Sequence, residues 1–430
     1  MTYPDSVRFL YSLANETRTA ELGLARITRL LEALGNPHRA AAFVHVAGTN
    51  GKGSTCAMIE SALRASGRRT GLYTSPHLIE PTERIRIQGR PVSREDFAQA
   101  FEQVHAAAER LLREDLIRQH PTYFETVTAM AFLLFARFGV EMAVLEVGLG
   151  GRLDATNVVH PLVAVITPVD FDHEKYLGKG LDSIAAEKAG ILKRGSAAVF
   201  SRQRPEVARV LEQAARAQDI TPLWAEQTWR AEEVLLEASG SRFIARGPVR
   251  IPIYCPLPGE HQVSNAITAV AVLHWLGVPA AAIQQGIAGV RWPGRLERVA
   301  SQPQIYLDGA HNPAGARALA AYIERFHKSR RVWLVYGASR DKAVAEIAAI
   351  LFPLADEVIA TAAAHPRSVR PELIRELADH PRLRIAPRVA DALRMLEEAG
   401  PSDAVFITGS LFLVGEARAM LVPSDPDDAA

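Results

Sequence analysis

His45-Val-Ala-Gly48-Thr-Asn-Gly51-Lys52-Gly53-Ser54-Thr55 is the stretch that decides the fold. An apolar run, residues 43–47, leads into it, and a helical pattern over about 54–66 leads out. Glycines let such a turn fold with its N–H groups facing an anion, and the following helix adds the positive end of its dipole. Lys52 supplies a point charge for terminal phosphates, and Ser54 or Thr55 offers a hydroxyl, which is the chemistry of a phosphate-binding loop. The match to the general pattern is incomplete. Val46 stands five residues before Gly51, where glycine is wanted, and Gly53 separates Lys52 from Ser54. The other reading of this segment alone is a Gly-rich strand-to-helix turn carrying an exposed lysine.

Outward from the loop, apolar runs at 142–147 and 162–167 suit buried parallel strands, and helical patterns alternate with them. The alternation predicts an α/β protein whose P-loop-type parallel sheet carries helices on both faces. Arg-Trp-Pro-Gly-Arg at 291–295 breaks the pattern, which then restarts with strands at 305–307, 332–336, 358–361 and 404–408 and a helix from about Pro313. The restart predicts a smaller Rossmann-like α/β C-terminal domain, with the division placed at 1–293 and 294–430. Residues 221–258 are less regular, with strand-like pieces at 242–245 and 249–253, and read as an excursion of the first domain. The Pro/Asp-rich tail after Val422 reads as disordered.

Composition sets the outer bounds. The 430 residues suffice for two or three domains, and 49 basic against 48 acidic residues give no electrostatic case for nucleic acid. Two cysteines without CxxC spacing, Cys56 and Cys255, argue against a disulfide framework and fit a reducing compartment. The N-terminus lacks the apolar core of a signal peptide. The longest uncharged stretch, 266–284, reads as a buried helix ending near Gly277 rather than a membrane span. The expectation is a cytoplasmic protein with no membrane association.

Acidic and histidine positions cluster at predicted strand ends. Glu146 closes an apolar run just before the turn Gly148-Leu-Gly-Gly-Arg152-Leu-Asp154, at the sheet edge where open α/β folds bind ligands. A magnesium nucleotide needs such oxygen ligands. The alternative is an ion pair between Glu146 and Arg152. Asp170-Phe-Asp172-His173 follows another strand. A histidine there is by its own chemistry a general base or a zinc ligand, because magnesium prefers oxygen. Lys188, beside Glu187 on a predicted helix, reads alone as a surface lysine.

Taken together and in order, the phosphate loop, Thr74-Ser-Pro-His-Leu78, Tyr123-Phe-Glu125, Leu145–Asn157, Asp172-His173, Glu187-Lys-Ala-Gly-Ile191, Pro293-Gly-Arg295 and Asp308-Gly-Ala-His-Asn-Pro313 resemble the folylpolyglutamate synthase/dihydrofolate synthase family of the Mur ligase superfamily. The resemblance spans about residues 20–415. It implies an ATP-dependent ligase that joins L-glutamate to a pteroate or folate carboxylate through an acyl phosphate, with two magnesium ions. By resemblance, Gly48, Thr49, Asn50, Gly51, Lys52, Gly53, Ser54, Asn265, Arg295 and Asp308 bind ATP. Ser75, Glu146 and His173 match magnesium ligands, and Lys188 a lysine carbamylated by CO2 that could hold a second ion. His311 and Ser410 match contacts near glutamate or the γ-phosphate. Glu21, Thr122, Tyr123, Phe124, Glu125, Arg152 and Asp154 match substrate-binding segments, although Glu21 stands where an aspartate is expected. The implied partners are dihydropteroate or a reduced folate, L-glutamate and ATP, with the chain acting as a monomer. The rivals are a Mur-type or cyanophycin-like ligase on another substrate, and a non-catalytic ATP-binding module.

Overall fold

The computed structural model describes residues 1–13 and 23–423, so Glu21 and most of the tail after Val422 lie outside the described residues. The deciding strand is β1, Ala42–Ala47, buried from Phe43 onward. Such a run needs apolar cover on both faces, and it has it. Val44 and Val46 enter one core with the helices Lys52–Ala65, Glu260–Trp275 and Ala280–Ala288. Phe43 enters another with the helices Arg94–Arg113 and Tyr123–Arg137.

Seven further strands complete the first sheet: β2 (Thr70–Tyr73), β3 (Ile85–Ile87), β4 (Arg90–Pro91), β5 (Met142–Glu146), β6 (Val163–Ile166), β7 (Ala197–Phe200) and β8 (Leu223–Trp224). Their order is β4-β3-β2-β5-β1-β6-β7-β8, parallel except for β3, which pairs antiparallel with both β2 and β4. From β1 the chain turns to β2 on one side and later reaches β6 on the other, so a crevice opens at the carboxyl end of β1.

The irregular region folds as a three-stranded antiparallel sheet, β9 (Arg230–Glu237), β10 (Gly240–Arg246) and β11 (Arg250–Cys255). Phe243, Ala245, Ile251 and Ile253 pack it into the same core as Val44 and Val46. Sequence patterning finds pieces of β10 and β11 only. β9 escapes because Glu232, Glu233 and Val234 break the alternation, and the strand is irregular there, with Glu233 at φ +54°.

The second sheet comprises β12 (Glu297–Ser301), β13 (Gln304–Asp308), β14 (Val332–Tyr336), β15 (Glu357–Ala360), β16 (Leu383–Ile385) and β17 (Ala404–Thr408). It runs β12-β13-β17-β14-β15-β16, with only β12 antiparallel. Among the described residues no helix is long and apolar enough to cross a membrane. The uncharged stretch at 266–284 contains the buried helix Glu260–Trp275, which ends before Gly277 at φ +71°.

Candidate active site

After β1 the backbone doubles back over β6: the amides of Thr49 and Asn50 both donate to Pro168 O, at 3.0 and 3.1 Å. Gly51, at φ +81°, starts the helix Lys52–Ala65, whose N-terminus has no side-chain cap. Its first-turn N–H groups are therefore available to an anion. Close packing explains the glycines. A Cβ on Gly51 would lie 2.3 Å from Asn265 Oδ1, and one on Gly53 would lie 3.0 Å from Trp292 Nε1. Gly53, the residue that spoils the general motif, thus makes room for an indole. Lys52 Nζ donates to Thr49 O at 3.3 Å, Gln262 Nε2 to Ser54 Oγ at 3.3 Å, and Asn265 Nδ2 to Gln262 Oε1 at 3.0 Å. Gln262 and Trp292 carried no local signal of this role.

Glu146 ends β5 with its carboxylate buried, accepting from Ser75 N at 3.2 Å. Burial raises its pKa and the Lys52 charge opposes the rise. It does not pair with Arg152, which binds Glu187 at 2.8 Å. A buried carboxylate so sparsely supplied with donors is suited to a hard cation.

Lys188 corrects the surface reading. It is buried, and its Nζ donates to Gly48 O at 2.9 Å. The helix Leu181–Ala189 presses its last turn onto the glycine turn, so that a Cβ on Gly151 would lie 2.8 Å from Glu187 O. Burial, helped by the Lys52 charge, lowers the Lys188 pKa to about 7.

The second sheet faces this edge. Asp308 ends β13, accepting from Leu296 N at 3.0 Å and Ala310 N at 2.9 Å; burial raises its pKa against the pull of Arg295. The Arg295 guanidinium lies over Gly309, where a Cβ would meet it at 2.3 Å. Asn312 Nδ2 donates across the cleft to Asn50 Oδ1 at 2.9 Å. Asp172 collects three groups: Lys342 Nζ at 2.6 Å, His311 Nε2 at 3.7 Å and His173 Nε2 at 3.9 Å. Burial alone would raise Asp172, but these neighbours hold it well below the usual carboxylate range. His173, at φ +53°, lies 3.8 Å from Asp341, and burial with the Lys342 charge lowers its pKa to about 4. Asp341 and Lys342 sit some 170 residues from Asp172, so only the tertiary fold reveals them. Gly53, Ser75, Glu146, Trp292, Arg295 and Leu411 line one cleft between the two sheets.

The remaining candidates have other engagements. Ser410 caps the helix Leu411–Leu421, its hydroxyl accepting from Phe412 N at 3.2 Å. Thr122 and Glu125 form a reciprocal capping box, and Glu125 also accepts from Arg26 Nε at 2.7 Å. Tyr123 stacks under Arg84, 5.1 Å from its ring centroid, and its buried hydroxyl has no hydrogen-bond partner among the described residues. The Phe124 ring lies against Gly148. Asp154 is buried and accepts from the amides of Gly148, Leu149 and Thr156 at 2.9 to 3.0 Å, ordering its own turn.

A phosphate loop, a buried carboxylate and a facing α/β sheet are the parts of a Mur-type ligase, and the chain matches that class in both halves. Residues 46–273 match the Mur ligase middle domain and 294–411 the Mur ligase, glutamate ligase domain. It is 37% identical to the dihydrofolate synthase/folylpolyglutamate synthase of Mycobacterium tuberculosis, over 94% of this chain and 91% of that one. The folylpolyglutamate synthase structure from the same organism, complexed with ADP, superposes with a TM-score of 0.92 at 35% identity, covering 99% of both chains. Escherichia coli FolC, in complex with DHPP and ADP, superposes with a TM-score of 0.85 at 32% identity, covering 98% of this chain and 97% of that one. The chain belongs to the dihydrofolate synthase/folylpolyglutamate synthase family and is an ATP-dependent, amide-forming ligase.

Proposed function

We propose that this chain joins L-glutamate to the carboxylate of dihydropteroate or a reduced folate at the expense of ATP. The observation that carries the reading is Glu146, a buried carboxylate opposite the uncapped helix that Lys52 begins.

A carboxylate is a poor electrophile because its leaving group would be oxide. Phosphorylation cures this. A carboxylate oxygen attacks the γ-phosphorus, ADP leaves, and the acyl carbon then bears phosphate. The glutamate amine adds to that carbon and phosphate departs. Lys52 and the amides of the first helical turn hold the terminal phosphates, as positioning and electrostatic support require. Asn265, Arg295 and Asp308 complete the nucleotide pocket, Asp308 coming from the second sheet. Ser75, Glu146 and His173 would hold magnesium, and the sparse hydrogen bonding of Glu146 fits a cation there. The ion, when bound, offsets charge on the transferring phosphoryl group.

A pKa near 7 leaves part of Lys188 as a free amine at neutral pH. Its Nζ can add to the carbon of CO2 and lose a proton, giving a carbamate anion beside Gly48. His311, whose Nε2 lies 3.7 Å from Asp172, and Ser410, at the start of the helix Leu411–Leu421, would orient the glutamate. Tyr123, whose hydroxyl has no hydrogen-bond partner among the described residues, and Phe124 would form the acceptor wall. In this reading residues 1–293 bind nucleotide and acceptor, and 294–430 close over them.

The test is incubation of purified protein with ATP, magnesium, L-glutamate and either dihydropteroate or tetrahydrofolate, with products weighed by mass spectrometry. One added glutamyl residue on at least one acceptor is expected, and Lys52→Ala should abolish it while the fold is kept. No extension of either acceptor, or full activity in Lys52→Ala, contradicts the reading.

A further inference from the structure

Away from the cleft, three potential metal ligands meet on the opposite face of the first sheet. His105 and Glu109 lie one turn apart on the helix Arg94–Arg113, so both project from the same side. His120 sits in the segment that leads to the helix Tyr123–Arg137. One ligand atom from each lies within 4.8 Å of the others.

The two imidazoles face each other nitrogen to nitrogen: His105 Nδ1 is 3.4 Å from His120 Nε2. Two nitrogens each about 2.05 Å from a tetrahedral ion stand about 3.3 Å apart, so the observed gap is already that of a zinc site. The outer contacts agree. His120 Nδ1 lies 2.9 Å from Pro121 O, a carbonyl that can only accept, so Nδ1 carries the proton and Nε2 presents its lone pair to His105. A ligating histidine characteristically donates its second N–H to such a carbonyl. The rings are held by packing. Phe9 lies 4.5 Å from the His105 ring and 5.5 Å from that of His120, and Phe101 stacks on His105 at 5.5 Å. Both histidines are half-buried, which leaves a route for an ion and a fourth position for water.

We propose that His105, Glu109 and His120 form a binding site for one zinc-class divalent cation, which ties the helix Arg94–Arg113 to the segment entering the helix Tyr123–Arg137. Imidazole and carboxylate donors favour zinc, nickel or copper over magnesium. The site lies apart from the cleft residues assigned above and joins elements that carry none of the residues assigned to the nucleotide. By fixing Pro121, the ion would steady the capping box of Thr122 and Glu125 one residue further on.

The test uses the full chain without an affinity tag, stripped with a chelator, and zinc alone as probe. Competition against a chromophoric zinc chelator should show a site that His105→Gln and His120→Gln each weaken tenfold or more, and that His173→Ala leaves in place. Thermal midpoints taken in chelator control for folding of the variants, and zinc should raise the midpoint of the parent but of neither glutamine variant. Independently, zinc-soaked crystals should show an anomalous peak between the three side chains. Zinc binding unaffected by both glutamine variants, no zinc binding, or no peak at that position would overturn the proposal.

Discussion

Lys188 shows how much a single residue's chemistry depends on where the chain carries it. In the sequence it sits among Ala, Glu and Gly on a helix and looks solvated. In the fold it is buried against Gly48 O, and its pKa is lowered to about 7 by burial and by Lys52. The free amine, the form that reacts with CO2, therefore accumulates above about pH 7 and is lost below it, whereas an exposed lysine would stay protonated to about pH 10. In 13C-bicarbonate at pH 8, the protein should show a carbamate resonance that fades toward pH 6. The resonance and the ligase activity should both vanish in Lys188→Met. A resonance that persists in Lys188→Met, or full activity with no resonance, would count against the carbamate. Asp172 gives the converse lesson. Its partner Lys342 is invisible locally, because nothing near residue 172 indicates what residue 342 will bring.

At the scale of elements, legibility followed regularity. β1, β5, β6, β14 and β17 were readable because central parallel strands must be apolar on both faces. β2, with Gly71, the two-residue β4 and β8, and the short edge strand β16 have too little pattern to register. The strand–loop–helix unit of the phosphate loop was readable as a type, but not the reason for its extra glycine. That reason is Trp292, from the segment linking the two sheets, whose indole Nε1 lies only 3.0 Å from where a Cβ on Gly53 would sit. Gly53→Ala should push the indole outward, disturb the first helical turn and raise the KM for ATP about tenfold. Against a Trp292→Leu background the same substitution should cost clearly less, because contacting residues are not additive. Equal penalties in the two backgrounds, measured as a double-mutant cycle on kcat/KM, would show that the glycine serves another purpose.

As a whole molecule, the protein buries neutral histidines in both of its halves. His45 sits inside the first sheet, its Nε2 2.8 Å from Thr156 Oγ1, and burial lowers its pKa to about 3. His327 is buried in the second domain among Tyr306, Tyr322 and Phe406, and burial lowers its pKa to about 4. The unfolded chain takes up these protons below about pH 6.5 while the folded chain does not, so stability falls as pH drops from about 6.5 toward 4. Between about pH 7.5 and 5 each histidine should cost on the order of 2 kcal/mol, read as a lowered urea midpoint. The fall should be shallower in His45→Gln and in His327→Gln, and an unchanged midpoint in the parent would contradict this. The two sheets meet through Asn50–Asn312 and Asp172–Lys342, and the proposed reaction draws on groups from both. The central claim is that the acceptor carboxylate is phosphorylated before glutamate attacks. It is tested most directly with acceptor labelled by 18O in the reacting carboxylate, with the released phosphate analysed by mass. One labelled oxygen should appear in phosphate for each amide formed; unlabelled phosphate accompanying amide formation would contradict the account.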